Sequence, residues 1–278
     1  MEYNIRKEEF DVEEVQNYTS IIQTLFKALF SKISTAEKEN VESSFAKEKE
    51  KPFKVAIIGQ SGVGKSSTLN HLFGLNLSVS DIDEGTTEVI EKTFKMPSGF
   101  NLCVYDMPGL LQNIKKDKVY LSMYQDILPE CDVIMYIIRA NTRNIGDDCR
   151  IIKETVLPIC KVNHIQDNLI IGINKVDTIG ESEGAGWDRK GNCPTPRLVE
   201  LMRKKASDIC AKFISEKLLI LKEYDTDSNT IAFEKFVFYS ALRNYQLDKL
   251  LLAVTNAGER GWIWTGMDGY NQFLKGTK

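Results

Sequence analysis

Short apolar runs alternate with amphipathic stretches between residues 52 and 260. Several runs are rich in β-branched residues and too short to be helices, so they predict buried strands. These strands are Val55–Ile58, Val133–Ile138, Leu169–Ile173 and Phe236–Tyr239. Two further runs, Val89–Met96 and Phe100–Tyr105, flank a Pro-Ser-Gly turn and predict a hairpin.

Helical periodicity fills the intervals between these strands. Apolar residues spaced three or four apart predict helices over Ser66–Phe73, Tyr120–Leu128, Asp147–Pro158, a segment starting after Thr195, and Leu247–Val254. Strands that alternate with helices predict an α/β fold, in which a mainly parallel central sheet carries helices on both faces. Ligands of such folds bind beyond the carboxyl ends of the strands.

The two ends of the chain differ from this alternating region. Residues 1–50 carry apolar side chains at helical spacing and predict an N-terminal amphipathic helix, whereas residues 261–278 form a short aromatic C-terminal tail. The helix face comprises Val15, Tyr18, Ile22, Leu25 and Leu29. The N-terminal helix either docks onto its own globular domain or makes a partner, oligomer or membrane-surface contact. The tail either docks against that helix or contacts a partner or a membrane surface. We therefore divide the chain into residues 1–50, 52–260 and 261–278.

The composition narrows the class of protein. Of 278 residues, 42% are hydrophobic and 27% are charged, as in an ordinary globular protein. The net charge of −3 provides no general attraction to nucleic acid, which is therefore not indicated as a partner. No apolar run reaches the roughly 18 residues of a membrane span, and the N-terminus does not resemble a signal peptide. We expect a cytoplasmic protein with no transmembrane segment and free cysteines.

The first predicted strand leads directly into a glycine-rich loop. The loop fits the pattern G-x-x-x-x-G-K-[ST] at every fixed position and comprises Gly59, Gln60, Ser61, Gly62, Val63, Gly64, Lys65, Ser66 and Ser67. In such a loop, successive N–H groups point inward, the lysine reaches the outer phosphates and the first serine hydroxyl can bind Mg²⁺. The following helix points its N-terminus at the same anion, so the loop predicts a polyphosphate site.

Two further motifs follow predicted strands. Asp106 and Gly109 form D-x-x-G, where the carboxylate can hold Mg²⁺ through water and the Gly109 N–H can sense a γ-phosphate. Asn174, Lys175 and Asp177 form N-K-V-D. The Asp177 carboxylate can accept both N1–H and the exocyclic amine of guanine, a donor pair that adenine lacks.

The other residues of the N-K-V-D motif have supporting roles in this interpretation. The stem of Lys175 can pack along the base plane, and Asn174 can tie its loop to the phosphate loop. The predicted pocket is completed by backbone contacts from Ser240, Ala241 and Leu242. The sequence therefore predicts a guanine nucleotide as ligand.

Taken in order, these motifs resemble the five G motifs of the Era-like GTPases, the class that includes TrmE, Era, EngA and the septins. The matching stretches read G-Q-S-G-V-G-K-S, G-T-T, D-M-P-G, N-K-V-D and S-A-L, and are most similar to the bacterial YfjP-like branch. The resemblance covers residues 52–258. It implies a P-loop G domain that binds GTP or GDP together with Mg²⁺.

The resemblance also implies roles for particular residues. Thr86 or Thr87 would close on Mg²⁺ and the γ-phosphate, and we favour Thr87. The implied metal ligands are Ser66, Thr87 and Asp106, and the implied catalytic residues are Lys65, Thr87 and Gly109. The reaction would be hydrolysis of GTP to GDP and phosphate by a Mg²⁺-dependent conformational switch.

Leu110 departs from the Ras-type pattern, which has a water-orienting glutamine directly after the D-x-x-G glycine. The missing group would come from a partner, from a second copy across the nucleotide face, or from a switch residue. Arg139 and Arg143 are candidates for such a contact or are ordinary surface arginines. The alternative is a GTP- or GDP-binding scaffold that oligomerises and hydrolyses little.

Trp187 lies in a charged, glycine-rich loop, residues 180–194, that no motif explains. An exposed aromatic residue among charges suits an interface. Packing of the indole beneath its own loop is the alternative reading.

Overall fold

A computed structural model describes residues 50–75, 77, 89–95, 101–110, 114–142, 145–180, 186–218, 236–257 and 260, with isolated positions 40, 43, 44 and 47. The chain divides into two units, Met1–Lys51 and Pro52–Lys278. The described positions from Asn40 to Glu50 are helical. The helix predicted around residues 15–29 and the tail 261–278 lie outside the described residues, so the predicted domain boundaries there stay predictions.

The second unit is built on a sheet whose strands match the apolar runs of the sequence. The strands are β1 (Phe53–Gly59), β2 (Ile90–Lys95), β3 (Asn101–Asp106), β4 (Val133–Arg139), β5 (Leu169–Asn174), β6 (Trp187–Asp188), β7 (Cys193–Pro194) and β8 (Phe236–Phe238). Six of them, in the order β2-β3-β1-β4-β5-β8, form the central sheet of the described region. All neighbours in it are parallel except β2 and β3. The predicted α/β fold is confirmed.

Helices cover both faces of this sheet. They are α1 (Lys65–Phe73), α2 (Ile114–Ile127), α3 (Ile145–Ile151), α4 (Leu157–Val162), α5 (Pro196–Ser215) and α6 (Leu247–Asn256). The ends follow local sequence rules. Thr195 caps α5 by accepting a hydrogen bond from Leu198 N at 3.3 Å, and Gly74 ends α1 in the left-handed conformation. None of the described helices is long and apolar enough to cross a membrane.

The helix predicted over Asp147–Pro158 is wrong in extent, because the helical run continues to Val162. A π-helical segment, Ile152–Val156, separates α3 from α4. Pro158 consequently falls in the first turn of α4, where a missing N–H is tolerated. Pro158, which predicted the end of a helix, therefore lies in the first turn of the next one.

The sheet separates two apolar cores. Successive side chains of a strand point to opposite faces, so β1 contributes Ile58 to one core and Ile57 to the other. Both side chains are fully buried. The first core includes residues of α2, α3 and α5, and the second includes residues of α1 and α6. Burial on both faces explains why the parallel strands are continuous apolar runs.

Candidate functional site

The phosphate-loop residues connect β1 to α1 at the carboxyl edge of the sheet. Gly64 has a φ of 94°, a conformation that favours glycine. A Cβ atom at this position would lie 2.5 Å from Asn174 Nδ2. Gly64 is therefore required both for the backbone turn and for the close approach of Asn174.

Lys65 is the first residue of α1, and its side chain is buried against the loop. Its Nζ donates hydrogen bonds to Gly59 O at 3.3 Å and to Gln60 O at 3.1 Å. Burial lowers the pKa of Lys65, and the nearby Asp106 carboxylate partly opposes this effect. The ammonium group thus lies at the loop with two carbonyls as partners, suitable for an anionic ligand.

Ser66 and Asp106 meet beside the loop. The Ser66 hydroxyl donates a hydrogen bond to Asp106 Oδ2, whereas the buried Asp106 Oδ1 has no hydrogen-bond partner in the described part of the chain. Burial raises the pKa of Asp106, while the Ser66 bond and the Lys65 charge lower it in part. A hydroxyl beside an unsatisfied carboxylate oxygen fits a Mg²⁺ ion.

A bound phosphate and water could supply the other ligands of such an ion. These residues hold no group of three or more His, Cys, Asp or Glu that could bind a metal. Mg²⁺ commonly uses one or two protein oxygens together with phosphate and water. Thr86 and Thr87, the predicted switch threonines, lie outside the described residues.

The D-x-x-G turn packs directly on the phosphate loop. A Cβ atom on Gly109 would lie 2.7 Å from Ser61 N, so this approach requires glycine. Tyr124 OH donates to Pro108 O at 2.8 Å and holds the turn to α2. The next residue, Leu110, is buried in the first core.

Asn174, at the end of β5, connects three segments. Its Nδ2 donates to Val63 O in the phosphate loop at 3.0 Å. Its Oδ1 accepts from Lys175 N at 2.7 Å and from Ala241 N at 3.1 Å. One side chain therefore joins the phosphate loop, the N-K-V-D segment and the S-A-L segment.

The remaining N-K-V-D side chains point to the same two loops. Lys175 Nζ donates to Gly62 O at 2.9 Å, so its stem crosses the phosphate loop. Asp177 is buried, and its Oδ1 accepts from Ser240 Oγ at 2.7 Å. Leu242 differs from these residues, since it is 70% exposed.

The other predicted residues differ in how far they are exposed to solvent. Val63 packs in the second core, and Ser67 is half-buried on α1. Arg139 is exposed at the end of β4, opposite Asn174 in the sheet register. Arg143 lies outside the described residues.

Asp148, on α3, was missed by the sequence analysis. Its buried carboxylate accepts hydrogen bonds from Tyr136 OH, at 2.9 Å, and from the side chain of Gln60 in the phosphate loop. Burial raises the pKa of Asp148 to about 6, while these two bonds lower it and Asp147 raises it. The sequence did contain a signal for it, an acidic residue on the apolar face of a predicted helix. A carboxylate buried there needs hydrogen-bond partners, so it indicates a buried polar contact.

Part of the chain is similar to a known protein family. Residues 54–175 match the family described as 50S ribosome-binding GTPase. This part of the chain, less than half of its length, is therefore similar to the GTPase domain of that family. The matched residues run from the phosphate-loop strand to the lysine of N-K-V-D, and include the D-x-x-G turn.

Individual relatives of this GTPase domain show the same likeness. It is 32% identical to GTPase Era of Aquifex aeolicus (strain VF5) over 133 residues, 46% of this chain and 42% of Era. It is 32% identical to the uncharacterized protein YfjP of Escherichia coli (strain K12) over 95 residues, 34% of this chain and 33% of YfjP. The chain therefore matches less than half the length of these curated relatives.

A solved structure supports the same fold for the GTPase domain. The crystal structure of Era in complex with MgGDPNP and nucleotides 1506–1542 of 16S ribosomal RNA aligns with a TM-score of 0.51 and 25% identity. The alignment covers 76% of this chain and 58% of that one. The segments joined by Asn174 are thus in the setting of a P-loop GTPase fold.

Proposed function

We propose that this protein binds a guanine nucleotide at the carboxyl edge of its sheet and hydrolyses GTP to GDP and phosphate as a Mg²⁺-dependent conformational switch. The hydrogen bonds of Asn174 to Val63 O and from Ala241 N carry the proposal. They bring the predicted phosphate-binding and base-binding segments within reach of a single side chain, so one nucleotide can contact both.

The base half of the proposal depends on Asp177. Its carboxylate is buried. Among the described residues, Oδ1 accepts a hydrogen bond from Ser240 and Oδ2 lies 3.7 Å from Arg243 Nε, which leaves acceptor capacity for donors of the base. Guanine provides two adjacent N–H donors, whereas adenine offers no such pair and would leave this acceptor capacity of the buried carboxylate unfilled. We therefore expect GDP and GTP to be preferred over ADP and ATP.

The phosphate half depends on the phosphate loop. Loop N–H groups and the Lys65 ammonium would stabilise the negative charge that develops on the β- and γ-phosphates. Ser66 and Asp106 would hold Mg²⁺, which supplies charge neutralisation at the phosphate oxygens when bound. The Gly109 N–H, at the turn that touches Ser61, would detect the γ-phosphate.

The group that orients the attacking water is not supplied by Leu110. Its side chain is apolar and buried in the first core. We propose that a second copy, a partner or a switch residue completes the site. Arg139 is exposed on the same edge of the sheet and is a candidate for contact with such a copy.

The buried, apolar side chain of Leu110 also favours a second function. In this alternative, the protein is a scaffold that binds guanine nucleotide and oligomerises but hydrolyses little. Phosphate release per protein molecule, measured over a range of protein concentrations, separates the two. A steep rise with concentration supports self-activated hydrolysis. No release above the rate of Lys65→Ala at any concentration supports the scaffold.

Binding itself is tested first, by calorimetry with GDP and with ADP in Mg²⁺. The proposal requires GDP to bind at least about 100-fold more tightly, because ADP would not provide the two donors that this buried carboxylate can accept. Equal affinities would remove the base assignment. Lys65→Ala is the matched variant for the phosphate contact, and we expect it to weaken GDP binding without altering the preference for GDP over ADP.

The Era crystal structure contains ribosomal RNA, but we do not extend that partner to this chain. The net charge of −3 gives no general attraction to a polyanion. We expect no RNA binding at 150 mM salt by fluorescence anisotropy, and salt-dependent binding in that assay would overturn this expectation.

A further inference from the structure

A short hairpin outside all the nucleotide motifs contacts the segment that carries Ser240. The hairpin consists of β6 and β7, which pair antiparallel. Trp187, on β6, packs edge-on against Tyr245, with ring centroids 5.2 Å apart and an interplanar angle of 85°. Such edge-to-face contacts are directional as well as apolar. The hairpin is therefore fixed against the loop between β8 and α6.

Asn192 connects the hairpin turn to that loop by hydrogen bonds. Its Oδ1 accepts from Trp187 Nε1 at 3.1 Å, and its Nδ2 donates to Arg243 O at 3.0 Å. Its backbone has a φ of 45°, a conformation that asparagine adopts more readily than most residues. One exposed side chain thus holds the backbone of Arg243.

Arg243 in turn contacts the carboxylate assigned to the base. Its N–H donates to Ser240 Oγ at 3.2 Å, and the Ser240 hydroxyl donates to Asp177 Oδ1 at 2.7 Å. Arg243 Nε lies 3.7 Å from Asp177 Oδ2 and is buried without a hydrogen bond in the described region. Both carboxylate oxygens therefore face groups that the hairpin helps to position.

We propose that the Trp187–Asn192 hairpin is a specificity-determining element, which holds Arg243 and thereby orients the Asp177 carboxylate for guanine. This inference rests on the proposed function. Trp187, Asn192 and Arg243 are positioning residues, because each acts on the base through Asp177. A carboxylate that must meet two base donors at once needs a fixed rotation, and contacts to both of its oxygens supply it.

The competing explanation is that the hairpin only adds packing to the domain. The two explanations differ in what a hairpin variant changes. Loss of packing lowers stability and weakens every nucleotide alike. Loss of orientation weakens the nucleotide that uses both acceptor oxygens more than one that uses a single bond.

Inosine diphosphate is the probe that separates these outcomes, because hypoxanthine keeps N1–H but lacks the exocyclic amine of guanine. Calorimetry with GDP and with inosine diphosphate gives a discrimination ratio for each variant. Asn192→Gly removes the amide while keeping a residue suited to positive φ. We expect its ratio to fall about fivefold, the effect of weakening one hydrogen bond. Trp187→Phe, which keeps a ring but loses Nε1–H, should change the ratio in the same direction.

Lys190→Ala is the matched control, because this exposed side chain belongs to the same hairpin but not to the network. Its ratio should equal that of the unaltered protein. If Asn192→Gly leaves the ratio unchanged while the unaltered protein prefers GDP over ADP, the inference is wrong and the proposed function stands. If the unaltered protein shows no preference for GDP over ADP, the proposed function fails and the inference fails with it.

Discussion

The side-chain amide of Asn174 donates a hydrogen bond to the carbonyl of Val63, with Nδ2 and O separated by 3.0 Å. The two residues are far apart in the sequence: Asn174 ends β5, whereas Val63 lies in the phosphate loop between β1 and α1. The bond leaves no room for a side chain at Gly64, where a Cβ would lie 2.5 Å from the same nitrogen. The geometry of the phosphate loop therefore depends on a residue of N-K-V-D, the predicted base-binding motif.

Asn174→Ala should affect both stability and ligand binding. The substitution removes the partner of Val63 O and of two backbone N–H groups. We expect a loss of about 2 kcal/mol or more in the free energy of unfolding, because buried polar groups lose their partners. GDP affinity should fall at least about tenfold. Urea unfolding and calorimetry measure the two effects.

Asn168→Ala is the control for that variant. Asn168 Nδ2 donates to Cys131 O at 3.3 Å. This is also a bond from a side-chain amide to a carbonyl, but it lies at the amino ends of β4 and β5, away from the predicted site. It should lower stability with little change in GDP affinity. If both variants bind GDP as the unaltered protein does, Asn174 has no part in the site.

Asp177→Asn should change base preference from guanine toward xanthine. Xanthine has a carbonyl where guanine has its exocyclic amine, so an amide donor in place of a carboxylate acceptor matches it. We expect the ratio of xanthosine diphosphate affinity to GDP affinity to rise by about 100-fold or more. Competition with a fluorescent nucleotide measures the ratio. An unchanged preference for guanine would contradict the role of Asp177.

Gly109→Ala should disturb the phosphate loop through its backbone. The added methyl would lie 2.7 Å from Ser61 N, and a backbone atom cannot move aside as a flexible side chain can. Overpacking of this kind costs about 1–3 kcal/mol of stability. Relative to the unaltered protein, the variant should also lose more affinity for a non-hydrolysable GTP analogue than for GDP. The reason is that Gly109 faces the γ-phosphate in the proposed function.

Gly186→Ala is the comparison for this change. Its added methyl meets no atom within 4 Å, so stability should change by less than about 0.5 kcal/mol. Equal effects of the two substitutions would show that the contact between Gly109 and Ser61 does not limit the site.

The sequence predicted the sheet well because each parallel strand is buried on both faces. Runs such as Val133–Ile138 are apolar without interruption, rich in β-branched residues and shorter than a typical helix, which together indicate a buried strand. The observed strand β4 differs from this run only by the addition of Arg139. The phosphate loop was equally readable, since its glycines and Lys65 have fixed spacing.

The hairpin network could not be read from the sequence in the same way. Asn192 and Arg243 are 51 residues apart, and their contact is between a side chain and a backbone carbonyl, which any residue would offer. Trp187 signalled a packed or interface position but not its partner Tyr245. Long-range contacts that use backbone atoms leave no pattern in residue type, so only the fold reveals them.

Asp148→Asn tests the buried carboxylate behind the phosphate loop. The pKa of Asp148 rises from 3.8 to about 6 on folding, mainly through burial. The folded state therefore holds its proton more tightly than the unfolded state does. The stability that this group contributes is complete below pH 3.8 and is lost as the pH rises toward 6.

Relative to Asp148→Asn, the unaltered protein should lose about 2 kcal/mol of unfolding free energy between pH 4 and pH 7, with most of the loss before pH 6. Urea unfolding at each pH measures the difference. Asp126→Asn, at an exposed position of α2, is the control for removing a carboxylate. A difference between Asp148→Asn and the unaltered protein that stays constant over this range would mean that the carboxyl group keeps an ordinary pKa, held there by the hydrogen bonds from Tyr136 and Gln60.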